Sequence, residues 1–153
     1  MRLQKIYQKD FLTWDDYYFQ YQKNLAREYY IPLLKNWGVD INGKRVLDIG
    51  CGSGGFITAF SEYNCSCTGI EINKFNWKIT DFINFLVDYF PKSAKGLEHE
   101  KFCFVLIDMD LYKPTLEGLN FFYPKISKGG YLSIHDYNNP QSNHAISIAI
   151  IVY

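Results

Sequence analysis

The sequence predicts an α/β fold built on a doubly wound, mainly parallel sheet, and three observations carry that prediction. Short aliphatic runs at 45–49, 67–72, 102–107 and 131–134 alternate with stretches whose apolar residues recur at helical spacing. A glycine-rich turn, Gly50 to Gly55, separates the first run from a helix. Polar side chains that can bind or titrate, Asp48, Glu71, Asp108 and His135, stand at or beside the ends of successive runs. A chain of 153 residues is one domain by length and buries roughly 70% of its unfolded surface. Residues 1–44 read as an N-terminal helical segment and 45–153 as the sheet-bearing core.

From Thr13 to Trp37 the period is helical, with Thr13 placed to cap against Asp16, Pro32 suited to the first turn of a second helix, and Gly38 as the stop. Asn42-Gly43 turns the chain into the first strand, Arg45 to Ile49. A short helix, Phe56 to Tyr63, follows the glycine turn, and Cys67 to Ile72 is the second strand. Ile79, Phe82, Ile83, Leu86 and Phe90 fit one helix face, so a helix is expected over about 75–90, ended by Pro91. On that reading an edge strand is missing between Ile72 and Phe102. Phe102 to Ile107 is the next strand, a helix begins near Pro114, Lys128-Gly-Gly130 makes a turn, and Tyr131 to Ile134 is the last strand. Residues 145–153 read as a remnant strand, and the fold as apparently shortened.

Sixteen basic and sixteen acidic side chains cancel, which argues against nucleic acid or an anionic membrane as partner and favours a small molecule or a protein. The longest apolar run, 145–153, is far short of the roughly 20 residues of a membrane-spanning helix. The cysteines at 51, 65, 67 and 103 match neither a zinc knuckle nor a disulfide framework and read as buried thiols in a reducing cytoplasm. The aromatic N-terminal segment suits a lid or a dimer surface, and a homo-oligomer is among the expected partners.

In an open parallel sheet, ligands bind at the carboxyl ends of the strands, where strand order reverses. Asp48, Glu71, Asp108, His135 and Asp136 converge there. Glycines at 50, 52, 54 and 55 let a ligand approach the backbone, and Glu71, about 20 residues on, can accept from two neighbouring ribose hydroxyls. Gly50, Gly52 and Gly55 also fit the dinucleotide fingerprint, so glycine spacing alone leaves NAD open.

Val46-Leu-Asp-Ile-Gly-Cys-Gly-Ser-Gly-Gly55 resembles the first motif of the class I S-adenosylmethionine-dependent methyltransferases, which have a Rossmann-like fold. The cofactor-binding set this resemblance implies is Asp48, Gly50, Cys51, Gly52, Gly54, Glu71, Ile72 and Asp108. Asp48 would contact the ammonium side of the cofactor, the loop backbone would pass beneath it, and Glu71 would bind its ribose. Ile107-Asp-Met-Asp-Leu-Tyr-Lys-Pro-Thr115, Phe122 to Tyr131 and His135-Asp-Tyr137 are similar to the macrocin O-methyltransferase family of metal-dependent sugar methyltransferases. That resemblance implies Asp108 and Asp136 as magnesium ligands. His135 stands where the family has the first acid of a pair; an imidazole suits magnesium poorly and fits a general base better. Asp108 and His135 are therefore the expected catalytic residues, and Asp110 reads as a helix-capping acid. Tyr112 and Tyr137 are candidates to line a small-molecule acceptor pocket, while His99 and His144 read as surface residues.

The function expected is O-methylation of a sugar or other small polyhydroxyl metabolite. The alternatives are a truncated or degenerate cofactor-binding domain without turnover and an NAD-dependent enzyme. In the methyltransferase family the region after Ile72 usually supplies the acid or amide that recognises adenine, and nothing there, Asn84 and Asp88 included, has the setting to replace it.

Overall fold

The computed structural model describes residues 7–77 and 80–135. Asp136, Tyr137, His144 and the expected remnant strand at 145–153 lie outside the described residues.

The chain begins with a helical run. Helix α1, Trp14–Leu25, starts where expected: the Asp16 N–H donates to Thr13 Oγ1 at 3.1 Å, and Asp15 and Asp16 in the first turn complement the helix dipole. It does not break before α2, Ile31–Asn36, because a five-residue π-helical segment, Ala26–Tyr30, joins the two. Pro32, which has no N–H to donate, lies in the first turn of α2, just after this wider turn. Gly38 stops the helix at φ +82°, with the Val39 N–H donating to Leu34 O at 2.9 Å.

Five parallel strands follow, β1 Arg45–Ile49, β2 Ser66–Glu71, β3 Ile83–Val87, β4 Phe102–Ile107 and β5 Ile126–Ile134, in the order β3-β2-β1-β4-β5. Helix α3, Gly55–Ser61, links β1 to β2, and α4, Tyr112–Phe122, links β4 to β5.

The helix expected over 75–90 is not formed. Its second half is β3, the edge strand thought missing, paired with β2 from Cys67↔Ile83 to Glu71↔Val87. Ile79, Phe82, Ile83, Leu86 and Phe90 follow the helical period while Ile83, Phe85 and Val87 follow a period of two, and the open edge of β2 decides between them. Gly69 makes the pairing close: a Cβ there would lie 2.9 Å from Phe85 Cδ1, so the absent side chain leaves the space the Phe85 ring fills. Lys128-Gly-Gly130 is likewise not a turn between elements but an irregularity inside β5, where the pairing steps from Phe102↔Ile126 to Phe104↔Tyr131. Gly129 at φ +75° lets the extra residues loop out.

Two cores lie on the two faces of the sheet. On one, Phe56 and Phe60 of α3 stack with Phe104 and with α2 residues Ile31 and Leu34. On the other, Phe102, Val105 and Ile107 pack against Leu119 and Phe122 of α4. Each fully buried side chain of this size contributes about 1.5–3 kcal/mol by leaving water. All four cysteines are buried and free, as expected.

Candidate functional site

The site sits where the strand order reverses, between β1 and β4. The ladders of β4 with β1 and with β5 both continue past the strand ends: the Asp108 N–H donates to Ile49 O at 2.7 Å, and the His135 N–H to Ile107 O at 2.9 Å. Consecutive backbone bonds therefore place the residues following β4 and β5 side by side. His135 Nδ1 lies 3.3 Å from Asp108 Oδ1, with both side chains partly shielded from water. A cavity of about 360 Å³ opens over them, within the size range of small-molecule sites. Asp108 and His135 form one wall with Gly50; Glu71 and Ile72 form another, and Tyr18 of α1 closes a third.

The glycine loop is packed against its own protein more tightly than the sequence suggested. Gly50, at φ +84°, has no room for a Cβ because Asp108's carbonyl oxygen occupies that space, and Gly55 is equally closed by Phe19 O. Gly54 is covered by Phe85 and Trp77. Only at Gly52 is the space open, with Tyr18 Cε1 as nearest neighbour of a built Cβ at 3.9 Å. The loop N–H groups are also satisfied within the chain: Gly50 and Cys51 donate to Ile70 O at 2.8 and 3.1 Å, and Gly52 donates to Glu71 Oε2 at 2.9 Å. The other Glu71 oxygen accepts from Ile72 and Asn73 N–H at 2.8 and 3.1 Å. Trp77, whose indole N–H donates to Gly52 O at 2.8 Å, completes the clamp and stacks on Phe85 at 4.3 Å and 3°.

Of the residues expected to bind a cofactor, Gly50, Glu71, Ile72 and Asp108 line the cavity, whereas Asp48, Cys51, Gly52 and Gly54 do not. Cys51 is fully buried under the loop, and burial pushes its thiol well above the usual range. Asp48 is 1% exposed and, like Val46 two residues before it, faces the α1 side of the sheet. Burial, then the charges of Asp108 and Glu71, raise its carboxyl well above the ordinary value; the nearby imidazole of His135 opposes the shift. Its Oδ2 is buried without a partner among the described residues, as are Gln22 Oε1 and Ser53 Oγ.

Four residues at the site, Tyr18, Gln22, Asp88 and Asp110, were not assigned to it by reading the sequence. Tyr18 and Gln22 stand one turn apart on α1; the Gln22 amide bonds the Tyr18 hydroxyl, whose pKa burial raises. Asp88, for which the sequence offers no setting as an adenine group, immediately follows β3 and lines the cavity with Tyr89. Its carboxylate accepts from Lys92 Nζ at 2.6 Å and from the Tyr89 N–H at 2.8 Å, which hold it below the usual carboxylate range. The alternation of Ile83, Phe85 and Val87 was the available signal. Asp110, at φ +53°, lines the cavity with Met109 and Leu111. Tyr112 is half-exposed at the start of α4 and outside the cavity wall, and His99 is exposed as expected.

Comparison with known proteins places this geometry. No curated protein matches the chain in sequence. The fold is similar to that of the O-methyltransferase NovP, at 16% identity over 81% of this chain and 68% of that one, with a TM-score of 0.58. It is also similar to a cyclopropane-fatty-acyl-phospholipid synthase-like protein from Lactobacillus casei (14% identity, 80% of this chain, 51% of that chain, TM-score 0.54). A third likeness is to the MycE methyltransferase of the mycinamycin biosynthetic pathway, solved with Mg and SAH (19% identity, 72% of this chain, 32% of that chain, TM-score 0.52). The chain thus spans about half to two-thirds of the length of the first two and a third of MycE. A methyltransferase-domain family model matches residues 21–108, and the macrocin-O-methyltransferase model matches residues 70–148. Each match covers more than half of the sequence, and the chain belongs to the macrocin-O-methyltransferase family within the methyltransferase-domain fold.

Proposed function

We propose that the protein is an S-adenosylmethionine-dependent O-methyltransferase acting on a hydroxyl of a sugar or similar polyhydroxyl metabolite. The observation that carries the reading is the Asp108–His135 pair, 3.3 Å apart in the cavity wall beside Gly50 and Glu71.

The residues present fit the cofactor. Asp48 Oδ2 and Gln22 Oε1 are buried acceptors, and Ser53 Oγ a buried hydroxyl, without partners among the described residues. An amino-acid end brings the complementary groups, an ammonium for the acceptors and a carboxylate for the hydroxyl. Glu71, held by three backbone N–H groups, keeps lone pairs to accept from ribose hydroxyls, and Asp88 is placed to accept from an adenine amino group.

When bound, S-adenosylmethionine supplies an electrophilic methyl group on sulfur. The chain's own part is to align an acceptor oxygen and remove its proton. With Nδ1 3.3 Å from the Asp108 carboxylate, a ring protonated at that nitrogen leaves a lone pair on Nε2, and Nε2 takes the hydroxyl proton. Asp108 holds the ring in that tautomer and stabilises the imidazolium that forms. Tyr18 shields the reacting atoms from water.

Magnesium would be held by Asp108 and Asp136, the latter outside the described residues. Among the described residues no group of three or more side chains of metal-binding type is found, and His135 offers a nitrogen, a poor donor for magnesium. No step here runs through a metal. The test is calorimetric titration of the chain with S-adenosylhomocysteine, with NAD as control, each with and without magnesium. Binding of S-adenosylhomocysteine alone, followed by transfer of labelled methyl to a polyol panel, supports the reading. A folded sample that binds neither compound would point to a degenerate domain.

A further inference from the structure

We propose that a cavity at the amino-terminal ends of the strands is a second ligand site, one that takes a phosphoanhydride, a chain of two or three linked phosphate groups. It does not depend on the methyltransferase reading, because it lies at the other end of the sheet. β1 and β4 are five and six residues long, so roughly 15–20 Å separates the two ends. The cavity holds about 660 Å³, more than the 360 Å³ of the Asp108–His135 cavity and within the range that encloses a small ligand.

Three separate stretches of chain each bring a lysine to it. The turn before β1 supplies Lys44, the loop before β4 supplies Lys101, and the irregularity within β5 supplies Lys128. None of the three has a carboxylate partner among the described residues. Lys101 Nζ is instead held by Pro124 O at 2.6 Å, a neutral acceptor that positions the ammonium and leaves its charge uncompensated. Arg45 in the same wall is paired with Glu100 at 3.0 Å, and Asp40 turns its Oδ1 to the Asn42 N–H at 3.1 Å. Burial raises the Cys103 thiol in the cavity wall, and the charge of Lys44 opposes that rise. The sixteen cations and sixteen anions of the chain balance, so three uncompensated lysines around one cavity are a local excess. An ammonium binds phosphate as a point charge, and a single phosphate group carries only about two negative charges. Three cations arriving from three directions are matched better by a linked chain. At Gly129, φ +75°, the space where a side chain would stand is open, so such a chain can lie against the β5 backbone.

The test is calorimetric titration of the full chain, at low salt and without magnesium, with inorganic phosphate, pyrophosphate, tripolyphosphate and uridine diphosphate. Tripolyphosphate is expected to bind about tenfold or more tightly than phosphate, and to weaken as salt is added. Lys44→Gln, Lys101→Gln and Lys128→Gln alter exposed side chains; each should weaken tripolyphosphate about two- to fivefold, the range of an exposed charge pair, without lowering the melting temperature. Thiol labelling locates the ligand: Cys103 lines this cavity and Cys51 lies at the far end, so tripolyphosphate should slow labelling of Cys103 more than that of Cys51. Uridine diphosphate carries no adenine to compete for the other cavity. Affinity equal to that of pyrophosphate makes the phosphate chain the whole ligand, and greater affinity makes it a nucleotide; both uphold the site. Equal affinities for phosphate and tripolyphosphate, binding that survives the triple substitution, protection of Cys51 in place of Cys103, or no binding at all overturns it.

Discussion

The indole N–H of Trp77 donates to Gly52 O at 2.8 Å while Glu71 accepts from the N–H of the same glycine at 2.9 Å. Gly52 is thus held through both its N–H and its C=O by residues at and beyond the end of β2, and the Phe85 ring stacks on the indole. Trp77→Phe keeps the stack and deletes the donor. A net hydrogen bond of this kind is worth about 0.5–1.5 kcal/mol, so the dissociation constant for S-adenosylhomocysteine should rise about two- to tenfold by calorimetry. An unchanged constant would show that the clamp has no bearing on the cofactor.

Asp48 sets stability against binding. Its carboxyl is raised by burial and by Asp108 and Glu71, so the folded protein holds that proton more tightly than the unfolded chain does. Its stabilising effect is complete below the unfolded carboxylate value and is lost as pH rises toward the folded one. Asp48→Asn removes the ionisation. The ligand-free variant should melt a few degrees higher than the parent at pH 8, with the gap narrowing by pH 5, yet bind S-adenosylhomocysteine more weakly. Thermal melts at the two pH values check the first part and titration the second; a variant that melts lower at pH 8 sinks the assignment.

Glu71 and Asp108 should separate cleanly in kinetics. Glu71→Ala removes hydrogen bonds to a charged group, each worth about 1.5–3 kcal/mol, and should weaken cofactor binding by roughly ten- to a hundredfold. Asp108→Asn and His135→Gln leave the cofactor side of the cavity in place and should keep that affinity within about twofold. Their loss is in turnover, by about 10²–10⁴, the usual contribution of positioned proton transfer. Unaltered turnover in Asp108→Asn would refute its role.

Asp88 marks the boundary of what the sequence disclosed. The strands at 45–49, 67–72 and 102–107 are long β-branched or aromatic runs with polar ends, and their neighbours in space are also their neighbours in pattern, so they were legible with the glycine turn and its acids. Residues 83–87 were not, because the segment carries two patterns, Ile83, Leu86 and Phe90 at helical spacing and Ile83, Phe85 and Val87 at a period of two, and only the bare edge of β2 and the hole at Gly69 favour pairing. Tyr18 and Gln22 were hidden differently. On a helix with this many aromatic residues, nothing local tells a side chain turned to the cavity from one turned to the core. With the strand in place, Asp88→Ala should raise the S-adenosylhomocysteine constant several-fold while leaving that for S-adenosylmethionine's sugar-free analogue, methionine methyl sulfonium, unchanged; equal losses for both would remove Asp88 from the adenine end.

Cys51 offers a direct report on loop closure. All four thiols are buried; Cys65 is pushed up to about 11 and Cys103 to about 12, chiefly by burial, and Cys51 and Cys67 are raised as well. A thiol-specific disulfide reagent should therefore react slowly with the native protein and with all four cysteines in guanidinium, since each must be uncovered before a thiolate forms. The routes of uncovering differ. Cys51 lies in the loop clamped by Glu71 and Trp77, whereas Cys65, Cys67 and Cys103 sit at the opposite, amino-terminal end of the strands. Saturating S-adenosylhomocysteine should slow labelling of Cys51 more than that of the other three, and Trp77→Phe should speed it selectively, as peptide mapping of labelled protein would reveal. Equal protection of all four would mean that the ligand stabilises the fold as a whole without closing this loop.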